Sequence, residues 1–99
     1  MSRGPRDLEH LERVFAALAH AQRRQILLVL HFRGGELTAG EIAERFACAW
    51  PTTTRHLRVL VEAELVTVER RGRERIYQLE PGRLDVVREW LEWFESAPE

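Results

Sequence analysis

The sequence predicts a single small domain of the mainly helical α+β class, ordered α-α-α-α-β-β-α. Three observations carry that expectation. Apolar residues recur at helical spacing through four successive segments as far as Ala63. The period then falls to two on either side of Arg71-Gly72, and it returns to helical after Pro81-Gly82. Ninety-nine residues with 44% apolar content suffice for one modest core, and no repeat or internal linker divides the chain.

Each element has a local reason. Residues 1–6 are polar, carry Gly4 and Pro5, and are expected to fray. Leu8, Leu11, Val14, Phe15 and Leu18 place a first amphipathic helix up to about His20. The block Ile26, Leu27, Val29 and Leu30 predicts a second, central helix that stops at Gly34-Gly35. Thr38-Ala39-Gly40-Glu41 is a capping-box pattern, opening a short third helix with Ile42, Ala43 and Phe46 inward. Cys48-Ala49-Trp50 forms a turn, and Pro51 suits the first turn of a fourth helix running to Ala63. Its buried stripe is Leu57, Leu60 and Val61, with Thr54 facing inward or hydrogen-bonding the neighbouring helix. Val66 and Val68 alternate with Thr67 and Glu69; Ile76, Tyr77 and Leu79 resume the strand pattern beyond Gly72, which supplies the positive φ of a tight hairpin. Leu84 to about Ser96 forms the last helix. The whole, residues 1–99, divides into a helix-turn-helix over 38–64, a hairpin wing over 65–80 and a dimerisation helix over 83–97.

Charge narrows the partners. The formal net charge is −1, all 15 basic residues are arginine, and six of them (Arg55, Arg58, Arg70, Arg71, Arg73, Arg75) fall between Trp50 and Tyr77. No acidic residue lies between Phe46 and Val61. A basic patch on a near-neutral body suits site-specific nucleic-acid binding better than indiscriminate coating. The single cysteine, Cys48, excludes an internal disulfide and a cysteine-rich zinc site built by one chain. Between two alanines it reads as a small apolar residue, a redox switch being the alternative. The N-terminus lacks an apolar signal region and no run approaches the roughly 18 residues of a spanning helix, so a soluble, cytoplasmic protein is expected. No nucleophile–base pair, phosphate-cradling loop or paired-carboxylate cleft points to an enzyme.

Candidate site residues follow from the fourth helix and the wing. Thr52, Thr53, Arg55, His56 and Arg58 carry groups that hydrogen-bond base edges or neutralise phosphates. Arg55 suits guanine O6/N7, Thr52 and Thr53 suit phosphates or thymine methyls, and His56 either contacts DNA or packs locally. Arg71 and Arg73 flank the wing tip, where minor-groove or phosphate contact is expected. Arg70 and Arg75 are paired across the hairpin, the alternative being that they meet Glu69 or Glu74. The partner so implied is double-stranded DNA; the alternative is an interaction module docking an acidic protein. The last helix is apolar on two stripes, Leu84/Val87/Leu91/Phe94 and Val86/Trp90/Trp93, too wide an arc for a monomer of this size. With Leu8, Leu11 and Phe15 of the first helix, Val86, Trp90, Trp93 and Phe94 predict a homodimer. Its two reading helices would lie about one DNA turn apart, roughly 34–36 Å, on an inverted repeat.

Four fragments in this order resemble the winged-helix regulators of the ArsR/SmtB type: LAHAQRRQIL from Leu18, TAGEIAERF, TTTRHLRVLVEAELV and RRGRERIYQL. The resemblance spans about Val14 to Leu79 and implies a winged helix-turn-helix repressor. The chain departs from the family pattern at Glu64, where a glycine usually joins recognition helix and wing, and at Ala21, where proline is common. A left-handed Glu64 would cost about 1 kcal/mol relative to Gly. The family's metal ligands are also missing. The third helix has no Cys-x-Cys, and the last helix offers only Asp85, Glu89, Glu92 and Glu95, poor ligands for soft or borderline ions. No metal or cofactor is therefore expected, and the effector is not named by the sequence.

Overall fold

Helix α1 (Pro5–Leu18) and helix α2 (Ala21–Phe32) lead to a short strand β1 (Glu36–Thr38), helix α3 (Ala39–Arg45) and helix α4 (Trp50–Glu62). Strands β2 (Val66–Arg71) and β3 (Glu74–Leu79) form the hairpin, and a single 3-10 turn at Pro81–Leu84 feeds helix α5 (Asp85–Glu92). The computed structural model describes residues 5–46 and 50–95. Cys48, and most of the turn expected around it, lie outside the described residues, as do residues 1–4.

The fold class agrees with the sequence, with one strand added. The sheet has three antiparallel strands in the order β1-β3-β2, and Leu37 of β1 stands opposite Tyr77. Three residues give too little alternation to announce a strand; Glu36-Leu37-Thr38 reads locally as the approach to a helix. Thr38 in fact serves both elements. It pairs with Ile76, and its Oγ1 accepts from the Glu41 N–H at 3.1 Å while Glu41 Oε1 accepts from the Thr38 N–H at 2.9 Å. This completes the expected capping box. The Thr38 backbone bond, then the hydroxyl bond, keep the Glu41 carboxyl below its ordinary pKa.

The core draws on every layer: Val14 and Ala17 of α1, Ile26 and Leu30 of α2, Ile42 of α3, Leu57 and Leu60 of α4, and Leu65, Val66 and Tyr77 at the sheet. Leu11 is buried within the chain as well. It was expected at an intermolecular contact, but its helical phase, three residues before Val14, turns it inward. Helix α5, by contrast, contributes no fully buried residue. It is shorter than expected, although i→i+3 bonds from the N–H groups of Trp93, Phe94 and Glu95 carry tight turns beyond Glu92.

Two helices end in the same hydrogen-bond pattern. At the end of α2, the Gly35 N–H reaches the Leu30 carbonyl (2.7 Å) and the Gly34 N–H the His31 carbonyl (3.4 Å). At the end of α4, the Leu65 N–H reaches the Leu60 carbonyl (3.1 Å) and the Glu64 N–H the Val61 carbonyl (2.9 Å). Both are Schellman caps, which need a left-handed residue at the turn. Gly34 takes it with φ 95°, and Glu64 with φ 65°, alone in this region among the described non-glycine residues. Burial of Leu60 and Leu65 supplies the apolar contact of the motif. The wing is then fixed at both roots, because the Glu80 N–H donates to the Leu65 carbonyl (2.9 Å) and the Leu79 N–H to the Gly35 carbonyl (2.8 Å).

Candidate nucleic-acid interface

Helix α4 has a sharply divided circumference. Thr53, His56, Leu57, Leu60 and Ala63 are buried, in steps of three and four, whereas Pro51, Arg55, Arg58 and Glu62 are exposed and Thr52 is half-buried. The inward stripe corrects two expectations. Thr53, proposed as a contact, is only 1% exposed, and Thr54, expected inward, is half-buried, as Thr52 is. His56 is likewise enclosed at 8% exposure. The signal was present: stepping back by four from Leu57 and from Leu60 lands on Thr53 and His56. Their polarity concealed it.

His56 has a polar partner that sequence reasoning missed. Arg23, in the first turn of α2, is 8% exposed. Its Nε donates to the Ala17 carbonyl at 2.7 Å and its Nη2 to the Ala16 carbonyl at 3.0 Å. Arg24 Nη1 donates to the Leu18 carbonyl at 2.7 Å. The last carbonyls of α1 have no partner within their own helix, and two guanidinium groups satisfy them and complement the helix dipole. Arg23 Nη1 also lies 3.4 Å from His56 Nδ1. A guanidinium can only donate, so the imidazole accepts and carries its proton on Nε2. Desolvation first, then the charges of Arg23, His20 and Arg55, hold His56 below the ordinary imidazole pKa. His20 sits beside it, ring centroids 5.5 Å apart. Arg23 thus ties the end of α1 to α4.

The wing sorts its arginines by face. Arg71 opposes Glu74, leaving Gly72-Arg73 as a two-residue loop with positive φ at Gly72 alone, the pattern of a type II′ hairpin. Glu36, Glu69 and Arg71 share one face by register. Arg71 donates from Nε to Glu69 at 2.7 Å and from Nη1 to Glu36 at 2.9 Å, and these bonds, Glu69 first, raise its pKa further. Arg71, expected to reach DNA, is braced by these bonds from β2 to β1 while its side chain stays half-exposed. Glu69 is taken by Arg71, so it does not neutralise Arg70. Arg70 and Arg75 stand directly opposite each other on the other face, both exposed. Like charges so placed repel, and among the described residues no carboxylate pairs with either of them, nor with Arg55, Arg58 or Arg73.

On a different side of the molecule, Phe15 meets Trp90 edge-to-face at 5.0 Å, and Trp90 meets Phe94 in the same way at 5.0 Å. Leu8 (55%), Leu91 (51%), Trp93 (68%) and Phe94 (72%) remain exposed, while Val86 is half-buried against the chain's own core. Among the described residues no group of three His, Cys, Asp or Glu side chains could hold a metal ion.

This arrangement has close relatives. A family described as a helix-turn-helix domain matches residues 18–69. The transcriptional repressor SdpR of Bacillus subtilis (strain 168) is 36% identical over 82% of this chain and 88% of its own length. The solved structure of an ArsR family transcriptional regulator superposes with a TM-score of 0.82 at 31% identity, covering 99% of this chain and all of that one. The chain belongs to the ArsR family. An ArsR relative named the arsenical resistance operon repressor of Staphylococcus xylosus is 33% identical over 85% of this chain and 79% of its own. As an ArsR protein, the chain is a DNA-binding transcriptional regulator of winged helix-turn-helix fold.

Proposed function

We propose that the protein is a homodimeric, cytoplasmic repressor that occupies an inverted-repeat operator and so blocks access to a promoter. Arg55 reads guanine from the major groove, Thr52 and Arg58 contact the adjoining phosphates, and Arg73 at the wing tip reaches the neighbouring minor groove or backbone. Arg70 and Arg75 belong to the same surface, since a phosphate between them would relieve their repulsion. The observation that carries the reading is the exposed set of arginines without carboxylate partners, on the outer side of α4 and the wing. The names of two relatives, both repressors, support repression. The exposed aromatic stack on α1 and α5 supports the dimer, since burying each such ring is worth about 1.5–3 kcal/mol. A two-fold axis through that stack would pair two reading helices, which is why the operator is read as an inverted repeat.

The test is selection of genomic fragments by the purified protein, followed by footprinting across a salt series. The expected outcome is protection of two symmetric half-sites, with affinity falling steeply as salt rises. Uniform binding to unrelated duplexes, or protection of one unrepeated site by a monomer, would overturn it.

A further inference from the structure

A groove of about 390 Å³ opens between the outer side of α2 and the turn that begins α5. Leu18, Leu27, Leu28, Leu79 and Leu84 form its walls. Leu28 remains 56% exposed there, although it belongs to a helix whose other side fills the core. The volume lies in the range of small-molecule sites, and the walls are nearly all carbon, as such sites are. Two polar groups stand among the lining residues, Arg24 and His31, and there is no carboxylate. Arg24 uses one guanidinium N–H on the Leu18 carbonyl, and its other four donors remain for a planar anion.

We propose that this groove binds an amphipathic carboxylic acid, an alkyl or aryl chain with one carboxylate, as a small-molecule ligand of the protein. The chain packs among the leucines, and the carboxylate takes the free edge of Arg24 with a hydrogen bond from His31. A phosphate ester would meet the same cation, but the narrow polar rim beside a long apolar wall favours a single small acid head on a large apolar body. The ligand would touch α1, α2, the end of the wing strand β3 and the start of α5 together. A molecule seated there bears on the joint between the wing and the helix that carries Trp90 and Trp93.

The experiment is calorimetric titration of the full chain, without DNA, with decanoate and with decan-1-ol as an uncharged molecule of equal chain length. Saturable binding of decanoate, about tenfold tighter than the alcohol, is expected from one charge-assisted contact. Arg24→Gln should remove that preference. Because Arg24 also holds the end of α1, Leu28→Glu serves as a second variant, at an exposed position where folding is not at stake; it should repel the acid from the mouth of the groove. Absence of saturable decanoate binding would overturn the proposal. So would equal binding of acid and alcohol, or binding unchanged in Leu28→Glu. None of these outcomes bears on the operator reading, which is measured without ligand.

Discussion

The molecule exposes two faces of opposite chemistry. Outer α4 and the wing present arginines; α1 and α5 present phenylalanine and tryptophan. The arginine face rests on a finished frame, in which the residues behind Arg55 and Arg58 are buried and the wing is bonded at both roots. It is stable while exposed, because cations are well solvated and give up water only to a polyanion. The aromatic face lacks that support: α5 buries none of its residues fully, and rings such as Trp93 and Phe94 lie open to water. A charged surface can wait for its partner, whereas an apolar one is incomplete without it.

The severest test of that contrast is removal of the aromatic side. Trp93→Ala with Phe94→Ala should weaken dimerisation by about 100-fold or more, at roughly 2 kcal/mol for each central aromatic, and operator binding should fall with it. Sedimentation velocity across a concentration series measures the first effect; an unchanged dimer would place the partner surface elsewhere. Arg55→Ala probes the other side. Its expected loss is about 1–3 kcal/mol, or roughly 5- to 150-fold in operator affinity. Dimerisation and melting temperature should not move, and a drop in either would mean that the two faces are not independent.

Glu64→Gly tests the frame between them. Removing a left-handed side chain should stabilise by up to about 1 kcal/mol, several degrees in a domain of this size. The Arg83 guanidinium, 3.5 Å from the Glu64 carboxylate and mostly exposed, offsets little of this. A lower melting temperature by calorimetry would show that the ion pair outweighs the strain. The smallest effect is that of pH on His56. Its folded-state pKa is depressed, so as pH falls below about 6.5 the unfolded chain takes up the proton first. The stabilising contribution is complete above that pH and is lost as pH falls through the folded-state value. His56→Gln can still accept from Arg23 but does not titrate, and its urea midpoint should fall less over this window. Parallel curves would mean that burial does not hold the His56 pKa down.

Local rules made much of this legible in advance. The Thr38–Glu41 capping box, the Gly72 hairpin and the left-handed Glu64 each depend on residues within a few positions of one another, and all three are present. What escaped depends on distance in the chain. β1 exists because Leu37 meets Tyr77, forty positions on. The Arg71 brace exists because Glu36 reaches it from another strand. Thr53 and His56 were assigned by chemistry when helical phase should have decided, and Arg23 passed unnoticed because a buried arginine looks in sequence like any other.

The bonded roots of the wing have a consequence for the DNA itself. With Leu65 and Gly35 both accepting from residues at the end of β3, the span from α4 to the hairpin would, in the proposed docking, work as a fixed calliper. A duplex whose groove does not match that opening must bend or narrow to fit. The cost of such bending varies with base step by amounts comparable to a direct contact. Operators should therefore be ranked in part by the flexibility of base pairs that no side chain touches.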